Sequence, residues 1–318
     1  MSATTTLSPK AVIFDAYGTL FDVHSVIAAA EQIFPGRGDA LSQLWRQKQI
    51  EYTQLRTLAD TGKGAAHYRP FWDITLDALR FSAKKLHLTL GRSAEKRLMD
   101  EYACLSAFPD AVPALRQLRD GVSPVKPDSG IAAPASAATA VNTKAKAAAK
   151  ATAKATAAAI TEAAAAAPAK ATARAPDAPR PGLAILSNGN PQMLDVAVKS
   201  AGMSGLFDHV LSVDAVRAYK PAPAAYALGT QAFDAPAGEI VFVSSNGWDV
   251  AGATWFGFTT FWLNRQNAPL EELGVTPHGT GAGMGELLDF LNTLASAGPP
   301  AHGARAAAAN RSRHAGRT

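Results

Sequence analysis

The chain is 318 residues long, 47% hydrophobic and 18% charged, with 25 Gly, 20 Pro and one Cys, a composition that supports a sizeable core and more than one domain. A lone cysteine, Cys104, excludes an internal disulfide. The amino-terminal MSATTTLSPK lacks the apolar stretch of a secretory signal, and no apolar run approaches the roughly 20 residues of a bilayer-crossing helix, so the expectation is a soluble, cytoplasmic protein without a membrane partner. The formal net charge of +5 belongs to two segments: residues 123–181 carry eight basic against three acidic side chains, the tail from Ser296 adds four arginines, and the rest is mildly acidic.

In chain order, the first apolar run is Lys10 to Asp15 (KAVIFD), a candidate strand. A long helical region follows. In Ala40 to Leu58 the residues Leu41, Leu44, Trp45, Tyr52 and Leu55 recur at helical spacing, and Ile74 to Leu90 and Ala94 to Leu105 are predicted helical too. That is far more helix than a crossover needs, which predicts a helical cap over residues 22–105. Residues 123–181 are dominated by Ala, Thr, Lys and Pro and cannot bury a core, so they read as a disordered insertion. Its centre, Lys144 to Ala167, has high helix propensity but no apolar stripe. Further strands are predicted at Leu183 to Ser187, His209 to Val213, Glu239 to Ser244 and Phe258 to Leu263. Strands alternating with helices imply an α/β fold, a doubly wound, mainly parallel Rossmann-like sheet over residues 8–21 and 106–295, followed by a disordered Arg-rich tail over 296–318.

In such a sheet ligands bind beyond the carboxyl ends of the strands. Asp15 falls there, as nucleophile or as turn residue before Gly18, and position alone balances the two. The second strand ends in Ser187-Asn188-Gly189-Asn190-Pro191, with Pro191 suited to a first helical position and Asn190 to its cap; free backbone N–H groups there could hold a small anion. Ala218-Tyr219-Lys220-Pro221, then Tyr226, and Ser244-Ser245-Asn246-Gly247-Trp248-Asp249 fall at later strand ends or loops. Singly, Lys220 is an ordinary surface charge and Asp249 an ordinary cap. Their order after successive strands (Asp, Ser/Asn, Lys-Pro, polar cluster with Asp) is the four-motif pattern of the haloacid dehalogenase superfamily.

Within that superfamily the sequence resembles the type II (S)-2-haloacid dehalogenases through FDAYGTLFDVHSV, FPGRG, LWRQKQIEYT, LAILSNG, FDHVLSVDAV, YKP and FVSSNGWD. The resemblance spans the chain apart from the insertion and the tail. Phosphatase relatives place a second Asp two residues after the nucleophile to protonate the leaving alkoxide; here that residue is Tyr17. They also hold Mg²⁺ with several carboxylates, whereas the last motif opens with Ser244, Ser245 and Asn246. Halide leaves without a proton, and a monoanionic haloacid needs no divalent counter-ion, so no metal or cofactor is expected.

The resemblance implies hydrolysis of short (S)-2-haloalkanoic acids to (R)-2-hydroxy acids, Asp15 attacking C2 to form an ester that water then opens. Arg46 would meet the halide, with Asn188 nearby, and Ser187 with adjacent N–H groups would take the substrate carboxylate. Lys220 would stabilise the charge on Asp15. Asp249, with Lys220, Ser244 and Asn246, would position or activate water, and Thr19 and Tyr226 would support this constellation. Tyr17 would contact the substrate, and Phe71 and Trp248 would wall the alkyl pocket, ordinary core packing being the alternative for each. The segment Asp60 to Arg69 is longer and richer in glycine than the family pattern. The family also implies a homodimer. A Mg²⁺-dependent phosphatase is the competing enzyme reading. For the basic insertion, a solvated spacer is favoured over weak non-specific nucleic-acid binding, because it lacks aromatic residues to stack bases. It should enter the second strand from the end opposite the site.

Overall fold

The computed structural model describes residues 9–60, 65–120 and 180–296. All but the last two residues of the predicted insertion, the tail beyond Ser296, and residues 61–64 of the glycine-rich segment lie outside the described residues.

Six strands form one sheet: β1 (Ala11–Phe14), β2 (Gly182–Ser187), β3 (His209–Ser212), β4 (Ile240–Ser244), β5 (Thr259–Leu263) and β6 (Gly279–Gly281). Their spatial order is β3-β2-β1-β4-β5-β6, and every neighbouring pair is parallel. The order reverses direction between β1 and β4, so their carboxyl ends border the crevice where doubly wound sheets take ligands. All of β1 and β4 is buried, as expected of strands covered on both faces. Alternation assigns the residues to faces: Val12, Phe14, Leu183, Ile185, Val241 and Val243 enter one core cluster, and Ala11, Ile13, Ala184, Leu186, Ile240 and Phe242 the other.

The five predicted strands are present, each within a residue or two of its expected limits. β6 was not foreseen, because Gly-Thr-Gly carries no apolar pattern and is recruited only as a short edge beside β5.

Between β1 and β2 run α1 (Ile27–Ile33), α2 (Gly38–Ala59), α3 (Phe71–Lys85), α4 (Arg92–Ala103) and α5 (Ala111–Asp120). The apolar stripe of α2 turns Leu41 and Trp45 inward, and the Trp45 indole donates to the Thr75 carbonyl on α3 at 2.7 Å. Helix α3 begins three residues before its expected start, at Phe71 behind Pro70. It ends at Lys85 rather than Leu90 because His87 takes a left-handed conformation, φ 57°, that no helix continues. The cluster on the first sheet face runs without a break into these helices through Tyr17, Leu20 and Phe21. After β2 come α6 (Pro191–Ser200), α7 (Pro223–Phe233), α8 (Gly247–Phe256) and α9 (Met284–Ser296). All described residues belong to one unit.

The flanks of the insertion converge on one carboxylate. Arg119, at the end of α5, reaches Asp208 at 2.7 Å and Arg180 reaches it at 3.6 Å, while the other Asp208 oxygen accepts from the Leu183 amide at 2.9 Å. This anchor stands at the amino-terminal end of β2, opposite the end that carries Ser187. No helix among the described residues is long and apolar enough to cross a membrane.

Candidate active site

Asp15 follows β1 directly and is 6% exposed, its backbone fixed by its amide donating to the Val243 carbonyl at 2.8 Å. Oδ2 accepts from the Thr19 hydroxyl at 2.8 Å and from Asn246 Nδ2 at 2.9 Å, whereas Oδ1 accepts only from Lys220 Nζ at 2.9 Å. Thr19 is itself held, its hydroxyl oxygen accepting from the Ser245 amide at 2.9 Å. One carboxylate oxygen is therefore saturated and the other keeps lone-pair capacity towards the crevice.

Lys220 is fully buried. Its ammonium bridges Asp15 and Asp249 at 2.9 Å each and lies 5.0 Å from the centre of the Phe242 ring. Burial pulls its pKa down, but the two flanking carboxylates outweigh burial and hold it above the ordinary lysine value. Asp249, in the first turn of α8, is also fully buried, and its other oxygen accepts from the Tyr226 hydroxyl at 2.8 Å. Desolvation raises the Asp249 pKa, Lys220 opposes it and Asp15 adds to it, the net direction being upward. A carboxylate with raised proton affinity suits a general base.

Arg46 projects from α2 to the same strand ends. One Nη donates to Gln49 Oε1 at 2.8 Å; the other donates to the Tyr17 carbonyl at 2.9 Å and to Asn246 Oδ1 at 3.2 Å. Gly18, at φ 96°, makes the turn that exposes the Tyr17 carbonyl to it, a conformation that side-chain-bearing residues rarely adopt. Arg46, Asn246 and Gly18 also line a cavity of about 470 Å³ that extends past His24 and Ile50 to Gln266.

Tyr17 is the hub of an aromatic wall, its ring centre 5.5 Å from Phe71 and 5.9 Å from Tyr102. Its hydroxyl is buried without a hydrogen-bond partner, and burial lifts the phenol pKa well above its ordinary value, leaving a neutral donor. A Cβ on Gly189 would lie 2.7 Å from the Tyr17 ring, so the missing side chain lets the ring rest on the Ser187–Gly189 turn.

That turn differs in detail from expectation. Asn190 and Pro191 do stand at the N-cap and first position of α6, but the Asn190 side chain makes no capping bond and donates instead to Gln192 at 2.9 Å. The Gly189 amide turns back onto Ser187 Oγ at 3.0 Å, so it is not free for an anion, and the Ser187 hydroxyl keeps its own proton to donate. Asn188 Oδ1 accepts from the Lys220 amide at 3.1 Å, which ties this turn to the lysine loop. Ser244 Oγ likewise accepts from the Asn246 amide at 3.1 Å and shapes the last motif.

Asp15, Thr19, Lys220, Asn246 and Asp249 thus share one hydrogen-bonded cluster, with Arg46 joined through Asn246 and Ser187 and Asn188 on the adjoining turn. Tyr226 reaches the cluster only through Asp249, its ring packed among Phe242, Phe256 and Phe258 on the far sheet face. Phe71 joins Tyr17, whereas Trp248 is half-buried, its indole N–H unpartnered, with no aromatic pairing to that wall among the described residues. Two neighbours escaped the sequence reading. Gln49 lies three residues after Arg46 on one helix face, and a polar residue inside an apolar stripe was the available signal. Tyr102 carried none, since its stacking on Tyr17 is purely tertiary.

Among the described residues no group of three or more His, Cys, Asp or Glu side chains converges as a metal site. Around Asp15 and Asp249 the last motif supplies the neutral Ser244, Ser245 and Asn246 rather than further carboxylates. The donor set does not fit Mg²⁺.

A family model described as hydrolase, haloacid dehalogenase-like hydrolase, matches residues 140–257. The (S)-2-haloacid dehalogenase of Pseudomonas sp. (strain YL) is 36% identical over 287 residues, 90% of this chain and 96% of that one. A crystal structure of an L-2-haloacid dehalogenase matches with TM-score 0.69 at 52% identity, covering 90% of this chain and 99% of that one. The L-2-haloacid dehalogenase from Xanthobacter autotrophicus with chloropropionic acid covalently bound matches with TM-score 0.65 at 31% identity, covering 89% of this chain and 98% of that one.

Proposed function

This chain belongs to the (S)-2-haloacid dehalogenase family, and from that premise we propose that it hydrolyses the carbon–halogen bond of short (S)-2-haloalkanoic acids, giving (R)-2-hydroxy acids and halide, with Asp15 as nucleophile. The observation that carries the assignment of roles is the asymmetry of Asp15: Oδ2 holds two donors and Oδ1 one. Oδ1 attacks C2 from the face opposite the halogen, a C–O bond forms as the C–X bond breaks, and the carbon inverts. Halide departs towards Arg46 with Asn188 nearby, while Ser187 binds the substrate carboxylate. Tyr17 and Phe71 line the alkyl side.

Water then adds to Cγ of the aspartyl ester. Negative charge develops on Oδ2, where Thr19 and Asn246 already donate, so the groups that orient the carboxylate also stabilise the tetrahedral intermediate. Asp249, oriented by Tyr226 and Lys220, takes the proton from water. Collapse breaks the Cγ–Oδ1 bond, the leaving alkoxide takes the proton held by Asp249 to give the hydroxy acid, and loss of the remaining carboxyl proton to solvent restores Asp15.

A metal-independent reaction is the reading supported by the last motif, which opens with the neutral Ser244, Ser245 and Asn246 where a phosphatase places carboxylates for Mg²⁺. The phosphatase reading also lacks its acid, Tyr17 being a neutral phenol. We take residues 22–105 as a cap, the cytoplasm as the location and the basic insertion as a spacer. Pairing of two copies is supported by exposed apolar side chains on α2 and α3: Leu55, Leu58 and Phe81.

The test is halide release from the separate enantiomers of 2-chloropropanoate in the presence of a chelator. The (S) form alone should react, yielding (R)-lactate, and Asp15→Asn should be inert. Cleavage of a phosphate ester that requires Mg²⁺, with no halide released, would overturn the assignment.

A further inference from the structure

Gln49 is fully buried, an unusual place for a primary amide, and every polar atom it has is used. Its Oε1 accepts from Arg46 at 2.8 Å and from the Tyr102 hydroxyl at 3.0 Å; its Nε2 donates to Thr75 Oγ1 at 2.6 Å. The Thr75 hydroxyl spends its own proton on the Phe71 carbonyl at 2.7 Å and must accept from the amide, so the orientation of the amide is determined. The chain of bonds runs from the start of α3 through α2 to the guanidinium.

The three acceptors of Arg46 are Gln49 Oε1, the Tyr17 carbonyl and Asn246 Oδ1, all neutral. No carboxylate pairs with Arg46 among the described residues, although Arg80 on α3 and Arg69 just before that helix do pair with acids. The guanidinium is therefore immobilised without being neutralised. A glutamate at position 49 would have the same size and a stronger bond to Arg46, but its charge would cancel the one an incoming anion needs.

We propose that Gln49 is a positioning residue for the dehalogenation, fixing the plane of the Arg46 guanidinium while leaving its full charge to the departing halide. The proposal rests on the dehalogenase reading above. It separates positioning from packing because the two roles rank substitutions in opposite order. Gln49→Glu keeps shape and hydrogen bonding, the Thr75 hydroxyl turning to donate to the new carboxylate, so a packing role predicts near-normal behaviour. Gln49→Met keeps volume, loses the bonds and leaves Arg46 charged, so a packing role predicts that it is the worse of the two.

The experiment compares bromide affinity by titration calorimetry with kcat and KM for (S)-2-chloropropanoate in the full-length wild type and both variants. Gln49→Glu should weaken bromide binding by about tenfold or more and lower kcat by about ten- to a hundredfold. Gln49→Met should lower kcat by about tenfold while nearly keeping bromide affinity. A Gln49→Glu enzyme that binds bromide and turns over like wild type overturns the proposal. If that variant does not fold, Gln49→Met decides, and a kcat within about twofold of wild type overturns it. A wild type that neither binds bromide nor releases halide overturns this proposal together with the dehalogenase reading, whereas an active wild type with unaffected variants overturns this proposal alone.

Discussion

At the carboxyl ends of β1 and β4 three charges are packed out of solvent, and each is answered by another: Lys220 sits between Asp15 and Asp249 at 2.9 Å from both. On α2 the opposite holds. Arg46 is partly open to the cavity and, among the described residues, touches only neutral acceptors and keeps its charge unanswered. On the proposed mechanism the electrostatically closed half, around Lys220, carries out the covalent steps, and the shared ammonium holds both carboxylates in register. On the same mechanism the half at Arg46 meets the departing anion, and its open guanidinium gives a halide something to bind. An active site for an anionic leaving group needs both, and the chain draws them from different parts of the sequence.

Breaking the closed half should have the largest effect. Lys220→Met leaves the buried Asp249 and Asp15 without their counter-charge and should cost about 3–5 kcal/mol near neutral pH, together with most of the activity. In the wild type the Lys220 pKa is raised in the fold, so its contribution is complete below about pH 10 and is lost only as pH climbs through the higher folded value. In the variant the Asp249 carboxyl, raised further without the ammonium, binds its proton more tightly folded than unfolded. Stability should then recover on acidification and fall as pH rises, and denaturant titrations across pH would measure both slopes. A variant whose stability follows the wild-type profile would show that the bridge does not hold this half together.

Disturbing the open half through its aromatic wall should do less. Gly189→Ala forces a methyl group to within 2.7 Å of the Tyr17 ring, and the ring must shift away from the Ser187 turn. The expected cost is about 1–3 kcal/mol of stability and a rise of about tenfold in KM, with kcat changed less. Steady-state kinetics with thermal denaturation check this. A fall in kcat at constant KM would place Tyr17 in the chemical step rather than in substrate binding.

The closed half was legible in the sequence through strand ends together with motif order, since Lys220, eight residues beyond β3, reads singly as a surface charge. Apolar runs locate the strands and parallel order aligns their ends, which places Asp15, Ser187 and Ser244 at one crevice, but position alone left Asp15 balanced between two readings and Asp249 an ordinary cap until the ordered motifs were matched to the family. The open half was legible only in part. Arg46 could be identified by resemblance, but Gln49 and Tyr102 act through contacts between helices that periodicity does not encode. The same limit explains β6, a strand without a strand pattern, and the early end of α3, where a single left-handed residue overrides an apolar run that continues to Leu90. Contacts made from outside a segment leave at most a faint mark within it, such as the polar Gln49 inside an apolar stripe.

The central claim is that an oxygen of Asp15 enters the product. A single turnover of excess enzyme with (S)-2-chloropropanoate in H₂¹⁸O tests it directly. The account predicts unlabelled lactate from that first turnover and ¹⁸O in the peptide that contains Asp15. Labelled lactate with an unlabelled peptide would mean that water attacks C2 itself, and would contradict it.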